Sequence, residues 1–321
     1  MMKPLLTHFY KCIAIAACLY LSIQHASAQM ENDGIMIPKN YICAGPMFST
    51  SSWTNYWEGT YKRNNGNIGK VTTNMYSFMA TYGITNDLIV TAGVPYITST
   101  ASAGTLHDQK GIQDLSVNLK WRAYKLKTDK GTLSLFASVT GSIPLSNYEA
   151  DFLPLALGSH SKNVTGRVVI DYNYGKVFFT GSGAYTNRSN ITIDRNSYYT
   201  TELIYSNQVE LPNMSDYNFR AGYRSKYLIV EGVADISTSL GGFDIRKNDM
   251  PFPSNRMNMS SVGGNIRYRL KSFYGLEFSA GDDYVVAGRN VGQSNMIHGG
   301  LTYIFGIIKK KTVQDKDSFK N

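Results

Sequence analysis

Hydrophobic and polar residues alternate with a period of two along most of the chain. In the stretch FMATYGITNDLIVTAGVPYI, residues 78–97, even positions are apolar, and the positions between them are mostly small or weakly polar. A tight turn at residues 85–87 divides the stretch, and Met79 and Ile89 are its exceptions. A period of two indicates β-strands with two different faces, so this stretch predicts two antiparallel strands joined by a short turn.

The same alternation recurs from residue 52 to residue 305. Further segments with one apolar and one polar, often charged, face are 113–124, 132–143, 163–174, 217–224 and 262–270. In a soluble β-sandwich the apolar faces would pack together, whereas in an outer-membrane barrel they would meet lipid while the polar faces line a lumen. The local pattern alone is compatible with both.

Three further features favour the barrel. The segments run for about 10–13 residues, longer than the strands of about 5–6 residues that are usual in globular proteins. Aromatic residues lie near strand ends on the apolar face, and short connections alternate with long ones. We therefore predict an all-β protein, a transmembrane antiparallel up-and-down β-barrel with short periplasmic turns and long outer loops.

The number of strands follows from the same alternation of connections. Treating residues 188–216 as one external excursion keeps every short turn on one side and predicts about twelve strands, with ten and fourteen as the alternatives. The aromatic residues predicted to lie at the lipid–water interfaces are Trp53, Trp57, Tyr82, Tyr96, Trp121, Tyr172, Tyr268, Tyr303 and Phe305.

Residues 1–28 have the pattern of a cleavable secretory signal peptide. Lys3 and Lys11 precede an apolar run that ends in Ala26-Ser27-Ala28. A transmembrane anchor and a lipoprotein signal at Cys18 are the alternatives. An exported barrel of this kind is expected in the bacterial outer membrane of a Gram-negative organism, where the barrel-assembly machinery inserts it.

The rest of the chain is divided by composition. We predict an N-terminal segment at 29–51, the barrel at 52–307 and a basic tail at 308–321. The N-terminal segment contains the apolar run Ile35-Met36-Ile37-Pro38, which leaves two alternatives open: a plug inside the barrel, or a segment that lies in the periplasm.

Composition adds little about partners. The formal net charge of +9 is compatible with the anionic surface of outer-membrane lipid and lipopolysaccharide. Nucleic acid is not an expected partner, because an exported chain without a clustered basic motif outside its tail offers no site for it. Cys43 is the one cysteine after the signal peptide, so no intrachain disulfide is expected.

Motifs for enzymatic chemistry are missing from the sequence. No H-E-x-x-H, C-x-x-C or G-x-S-x-G pattern occurs. His107 and His160 fall on predicted outer loops, and His298 faces the predicted lumen. All three are interpreted as structural residues. No catalytic residue, cofactor or metal site is predicted.

Strand parity instead predicts a polar lumen. The side chains expected to face it are Asp114, Asn118, Lys120, Arg122, Arg167, Asp171, Arg220, Arg224, Glu231, Asp235, Arg267, Arg269, Glu277, Asp283 and His298. They form either a network of ion pairs that rigidifies a narrow barrel or a path for a polar solute, and the two roles are compatible.

Several short segments carry a family resemblance. They are YGITNDL at 82–88, VPY at 94–96, GIQDL at 111–115 with Lys120, and GSIP at 141–144. They resemble the outer-membrane family named for the MetA pathway of phenol degradation. The phrases SSWTNYWEGT and NDMPFPSNRMN are similar to those of a Bacteroidetes-type branch of such proteins. The resemblance implies a barrel that passes hydrophobic or aromatic compounds, and it transfers no catalytic residues.

The function predicted from the sequence is therefore an outer-membrane channel for the passive uptake of small hydrophobic or aromatic solutes. A structural or adhesive barrel without transport is the first alternative, and a lipid-modifying outer-membrane enzyme is the second.

Overall fold

One antiparallel sheet of 13 strands dominates the structure. The structure is a computed structural model that describes residues 31–247, 249–273 and 275–307. The predicted signal peptide, 1–28, and the predicted basic tail, 308–321, lie outside the described residues. In chain order the strands are β1 (Tyr41–Trp53), β2 (Asn55–Glu58), β3 (Tyr61–Asn64), β4 (Val71–Gly83), β5 (Leu88–Ala101), β6 (Gln109–Ile112), β7 (Asp114–Lys127), β8 (Thr132–Pro144), β9 (Asn163–Tyr174), β10 (Val177–Arg188), β11 (Ile191–Thr192), β12 (Tyr198–Tyr199), β13 (Leu203–Ile204), β14 (Gln208–Val209), β15 (Met214–Arg224), β16 (Leu228–Ser239), β17 (Asn258–Arg269), β18 (Leu276–Arg289) and β19 (Asn295–Gly306).

The sheet closes into a barrel of twelve strands, as the sequence predicts. The wall consists of β1, β4, β5, β7, β8, β9, β10, β15, β16, β17, β18 and β19. Each wall strand pairs with its neighbours along the chain, and β1 closes the ring by pairing with β19 on one side and β4 on the other. The remaining strand of the sheet, β6, pairs with the outer part of β5.

The two ends of the barrel differ in their connections. Short turns at 84–87, 128–131, 175–176, 225–227 and 270–275 lie at one end, which we call the turn end. The connections at the other end, the loop end, are 54–70, 102–113, 145–162, 189–213, 240–257 and 290–294. Asn40 and Ile307 hydrogen-bond to each other at the turn end, so the described chain enters and leaves the wall there.

Loop 189–213 is the external excursion that the strand count required. It contains two nested pairings, β11 with β14 and β12 with β13. A buried apolar cluster packs it against loop 145–162 through Ala150, Ile191, Ile193, Val209 and Leu211.

The barrel begins at Tyr41 and not at residue 52, where the sequence analysis places its start. Gly45 and Pro46 weaken the strand pattern of β1 in the sequence, because glycine and proline are depleted in strands. The structure tolerates them because the ladder between β1 and β19 passes from the pair Ala44–Tyr303 to the pair Met47–Gly300 and skips both residues. The stretch 52–61 therefore contains the end of β1, the whole of β2 and the first residue of β3.

The faces of the wall follow the alternation in the sequence. On β7, the outward residues Val117, Leu119 and Trp121 are exposed, whereas the inward residues Asn118 and Lys120 are buried. The inner face of the wall is thus mainly polar, as β7 illustrates.

Candidate functional site: the lumen and its plug segment

The N-terminal residues 31–40, which we call the plug segment, lie inside the barrel. Asp33, Ile35 and Ile37 are buried there against inward-facing side chains of the wall. These wall residues belong to strands on opposite sides of the ring, including β5, β7, β10, β17 and β19. In the structure these contacts place residues 31–40 in the lumen.

The polar anchor of the plug segment is the carboxylate of Asp33. Its Oδ1 lies 3.2 Å from Lys120 Nζ and its Oδ2 lies 3.2 Å from Arg267 Nη1. All three side chains are at most 3% exposed. Lys120 also donates to the backbone carbonyls of Asp33 and Ile35. One carboxylate thus joins β7 to β17 across the lumen.

Two neighbouring residues extend this anchor. Arg220 Nη2 donates to Asn32 Oδ1 at 2.9 Å, and the hydroxyl of Thr140 donates to Glu31 Oε2 at 2.9 Å. Glu31 also lies 3.6 Å from Arg167 Nη2. Glu31 is more exposed than Asp33, so the segment becomes more solvated toward its N-terminal end.

The apolar anchor lies nearer the turn end. Ile37 packs with Cys43, Ile89 and Ile304. Two residues earlier in the segment, Ile35 packs with Phe178 and Ile229. These wall residues are apolar exceptions on an otherwise polar inner face, and the plug segment accounts for them.

Two glycines allow the segment to approach the wall closely. A Cβ on Gly83 of β4 would lie 2.0 Å from the carbonyl oxygen of Pro38, which no side chain can accept. A Cβ on Gly34 would lie 2.1 Å from Cγ of Asp171 on β9. Gly83, one of the small inner residues of the 78–97 stretch, therefore makes room for the plug segment.

The wall also contains ion pairs that do not involve the plug segment. Arg220 lies 2.8 Å from Glu231, Arg224 lies 3.1 Å from Asp171 and Arg269 lies 3.0 Å from Glu277. Charges that are removed from water need such partners, because an unpaired buried charge costs several kcal/mol.

The other predicted lumen residues are spread along the inner face. Asn118 donates to Thr140, and Asn218 donates to Asp235. His298 Nδ1 lies 3.6 Å from Asp283 near the loop end. Two residues lie at the rims: Asp114 accepts a hydrogen bond from Tyr148 at the loop end, and Arg122 pairs with Asp87 of the first turn.

The predicted interface aromatics divide into two groups. Seven are on the outer face of the wall, and they are Tyr82, Tyr96, Trp121, Tyr172, Tyr268, Tyr303 and Phe305. Trp53 and Trp57 differ from the prediction. Trp57 is 8% exposed, and the two rings lie against Gly292 and Gly288 of the β18–β19 region. They pack there because β1 ends at Trp53 and the chain turns into the β2–β3 hairpin.

The described residues form a lumen that is lined by many polar and charged side chains. No group of three or more His, Cys, Asp or Glu side chains in the described part of the chain is placed to hold a metal ion. Residues 31–247, 249–273 and 275–307 contain no helix that is long and apolar enough to cross a membrane. His160 lies in loop 145–162, where its backbone N–H donates to the Tyr148 hydroxyl at 3.0 Å.

The outer wall carries an apolar groove of about 760 Å³. Its lining includes Pro46, Phe48, Tyr76, Phe78 and Tyr96. The groove lies where two ladders are interrupted, at Pro46 between β1 and β19 and at Pro95 between the pairings of β5 with β7 and with β6. Proline has no N–H to donate, so each interruption follows from the sequence.

Asp33 is not among the residues predicted from the sequence, and neither are the apolar inner residues that contact the plug segment. A signal for them was present. Ile89 is noted above as an exception to the alternation, and Phe136, Phe178 and Ile304 break the polar face in the same way. Apolar residues on the inner face near the turn end indicate that another segment covers them.

Comparison with known proteins supports the architecture. The structure is similar to that of the COG4313 outer membrane channel from Pseudomonas putida F1, with a TM-score of 0.68 and 15% identity over 87% of this chain and 100% of that chain. The translocator domain of the autotransporter NalP from Neisseria meningitidis gives a TM-score of 0.46 with 10% identity over 94% of this chain and 95% of that chain. No family model and no curated protein matches the sequence. At 15% identity the likeness to the COG4313 channel shows the fold, and the chain has the fold of an outer-membrane β-barrel.

Proposed function

We propose that the protein is an outer-membrane channel for the passive uptake of small hydrophobic or aromatic solutes, and that the plug segment closes its lumen. The observation that carries the proposal is the way the plug segment is held. None of residues 31–38 belongs to a strand of the wall, and the contacts of Asp33 and Ile37 with the wall are made by side chains and a carbonyl group. A segment that contributes no strand can leave the lumen without opening the sheet.

Two further observations support the solute class. The sequence resembles the MetA-pathway family of phenol degradation, which implies compounds of this type. The apolar groove on the outer wall would collect hydrophobic compounds at the point where the two ladders are interrupted. The similarity in fold to a protein described as an outer membrane channel supports the channel role.

The experiment that tests the proposal is uptake by intact cells. Small aromatic compounds cross simple lipid vesicles unaided, so the barrier must be a native outer membrane with its lipopolysaccharide. A strain that lacks the gene should take up toluene and phenol more slowly than its parent. The intact gene should restore the rate, and uptake of a hydrophilic sugar should not change.

A planar bilayer experiment gives the second readout. Deleting residues 29–38 should produce stable single-channel currents, whereas the intact mature chain should conduct little. The channel proposal is wrong if neither protein conducts and the strain that lacks the gene takes up all compounds normally. A structural or adhesive barrel would then be the better description.

A further inference from the structure

We propose that Lys120 and Arg267 form a binding site for the carboxylate of a small organic anion, and that Asp33 occupies this site while the plug segment is docked. The inference rests on the proposed function, since a solute reaches the two side chains once the plug segment has left. It narrows the solute class to hydrophobic or aromatic carboxylates.

The geometry of Asp33 is that of a bound carboxylate. One oxygen faces Lys120 Nζ and the other faces Arg267 Nη1, each at 3.2 Å. The two cationic groups come from β7 and β17 and converge on one point inside the lumen. Two donors directed at the two oxygens of one planar group select a carboxylate.

The distribution of charge around the plug segment shows which cations depend on it. Arg220, Arg224 and Arg269 pair with carboxylates of the wall. Lys120, Arg167 and Arg267 pair with the plug segment, through Asp33 and Glu31. Arg267 has a second, longer contact of 3.5 Å with Glu231. When the plug segment leaves, these three cations lose the two carboxylates of Asp33 and Glu31, and the charge of the lumen becomes more positive.

Such a lumen favours an anion for a physical reason. Lys120 and Arg267 are buried, and removing the carboxylate that they share takes a favourable interaction from each while the cost of their desolvation remains. The lumen also has further donors to offer. Arg167 Nε and Arg224 Nη2 are buried and have no hydrogen-bond partner among the described residues. An incoming carboxylate replaces the interaction that Asp33 provided.

The surroundings of the site suit an apolar group attached to that carboxylate. Lys120 Nζ lies 5.2 Å from the ring centre of Phe136. Phe178 and Ile229, which the docked plug segment covers with Ile35, become accessible when it leaves. A ring would fill the space of the Ile35 side chain while its carboxylate takes the position of Asp33. Benzoate is the simplest probe with both features.

The test is a binding measurement by isothermal titration calorimetry on the purified full-length barrel in detergent. Wild-type protein should bind benzoate weakly, because Asp33 already occupies the site. Asp33→Ala should bind benzoate at least tenfold more tightly. Titration of this variant with benzyl alcohol, the neutral analogue, should give no more heat than titration with buffer. Adding Lys120→Met or Arg267→Gln to Asp33→Ala should weaken benzoate binding by about tenfold to a hundredfold.

Controls separate binding from folding. Each variant must show the heat-modifiable migration of a closed barrel on a gel. Deletion of residues 29–38 replaces Asp33→Ala if that variant does not fold, since it removes the same carboxylate without touching a strand. Asp87→Asn, which removes a carboxylate from the exposed pair with Arg122, should behave as wild type.

The outcomes distinguish this inference from the channel proposal. If the protein that lacks residues 29–38 binds benzoate no better than benzyl alcohol, the carboxylate site is wrong, even where the channel conducts and passes neutral aromatics. Because the titration needs no transport, benzoate binding as predicted, together with no conductance and normal uptake by the strain that lacks the gene, would contradict the channel proposal alone.

Discussion

Ile37 of the plug segment packs against Ile89 of β5, and both side chains are completely buried inside the barrel. Ile89 interrupts the small and polar inner face of its strand. The contact shows that the lumen near the turn end is filled by apolar packing as well as by ion pairs. Plug docking therefore depends on both, and each can be weakened separately.

The apolar contact is tested by Ile37→Ala. Removing a fully buried isoleucine from a packed site costs about 2–5 kcal/mol, and here we expect that cost to fall on plug docking and not on the wall. The variant should therefore show frequent openings in a planar bilayer. Lys39→Ala, which truncates an exposed side chain of the same segment, is the control. Equal behaviour of the two variants would show that Ile37 does not hold the plug segment.

The close approach of the plug segment to β4 is tested by Gly83→Ala. The new Cβ would meet the carbonyl oxygen of Pro38 at 2.0 Å, so the plug segment must move. We expect higher conductance without loss of the barrel. Gly93→Ala on the neighbouring strand is the matched control, because its Cβ would meet its nearest atom at 3.6 Å, an ordinary contact distance. A closed channel in both variants would contradict the docked position of Pro38.

The facing of the wall is tested on β8. Val139 is 56% exposed on the outer face, whereas Thr140 faces the lumen and donates to Glu31. Val139→Arg should destabilise the inserted barrel by about 2–4 kcal/mol if it lies near the membrane midplane. Thr140→Arg should cost much less, because its guanidinium can pair with Glu31. Denaturant unfolding in lipid vesicles measures both, and equal costs would contradict the assigned faces.

Acid should loosen loop 240–257 at the loop end by protonating Asp244. Asp244 of loop 240–257 accepts hydrogen bonds from Arg289 and Asn290, and this holds its pKa at about 2. A lowered pKa in the folded state stabilises the loop above the ordinary pKa of aspartate, about 4, and the effect disappears as the pH falls from there through 2.

Limited pepsin cleavage measures this pH dependence. Wild-type loop 240–257 should resist cleavage at pH 4 and become sensitive near pH 2. Asp244→Asn should be sensitive at both values, because the charge is already absent. Wild-type resistance that persists unchanged at pH 2 would show that the pair with Arg289 does not hold the loop.

The sequence predicts the wall well, because the signal for it is local. Alternation on β7 assigns Val117 and Leu119 to one face and Asn118 and Lys120 to the other, and a strand needs nothing beyond its own residues to express that period. The alternation of short and long connections was sufficient to obtain twelve strands. The start of β1 was missed because Gly45 and Pro46 weaken its local signal, and the wall accepts them through a gap in the ladder to β19.

The contents of the lumen could not be obtained in this way. Asp33 meets Lys120 and Arg267, which lie 87 and 234 positions further along the chain. Parity states that the last two face inward, but it does not state which carboxylate they share. Closure of the ring brings β7 and β17 to opposite sides of the same segment, and only then do their charges converge.

By itself the sequence determined the number of wall strands, their two faces, the grouping of the short turns at one end and the presence of a charged lumen, since each of these depends on neighbours within a few residues. Tertiary structure alone decided that residues 31–40 lie in that lumen and that three of its cations pair with the two carboxylates of the plug segment. The reason is that pairing energies inside a closed barrel depend on distances across the ring, and those distances exist only after all twelve strands have joined.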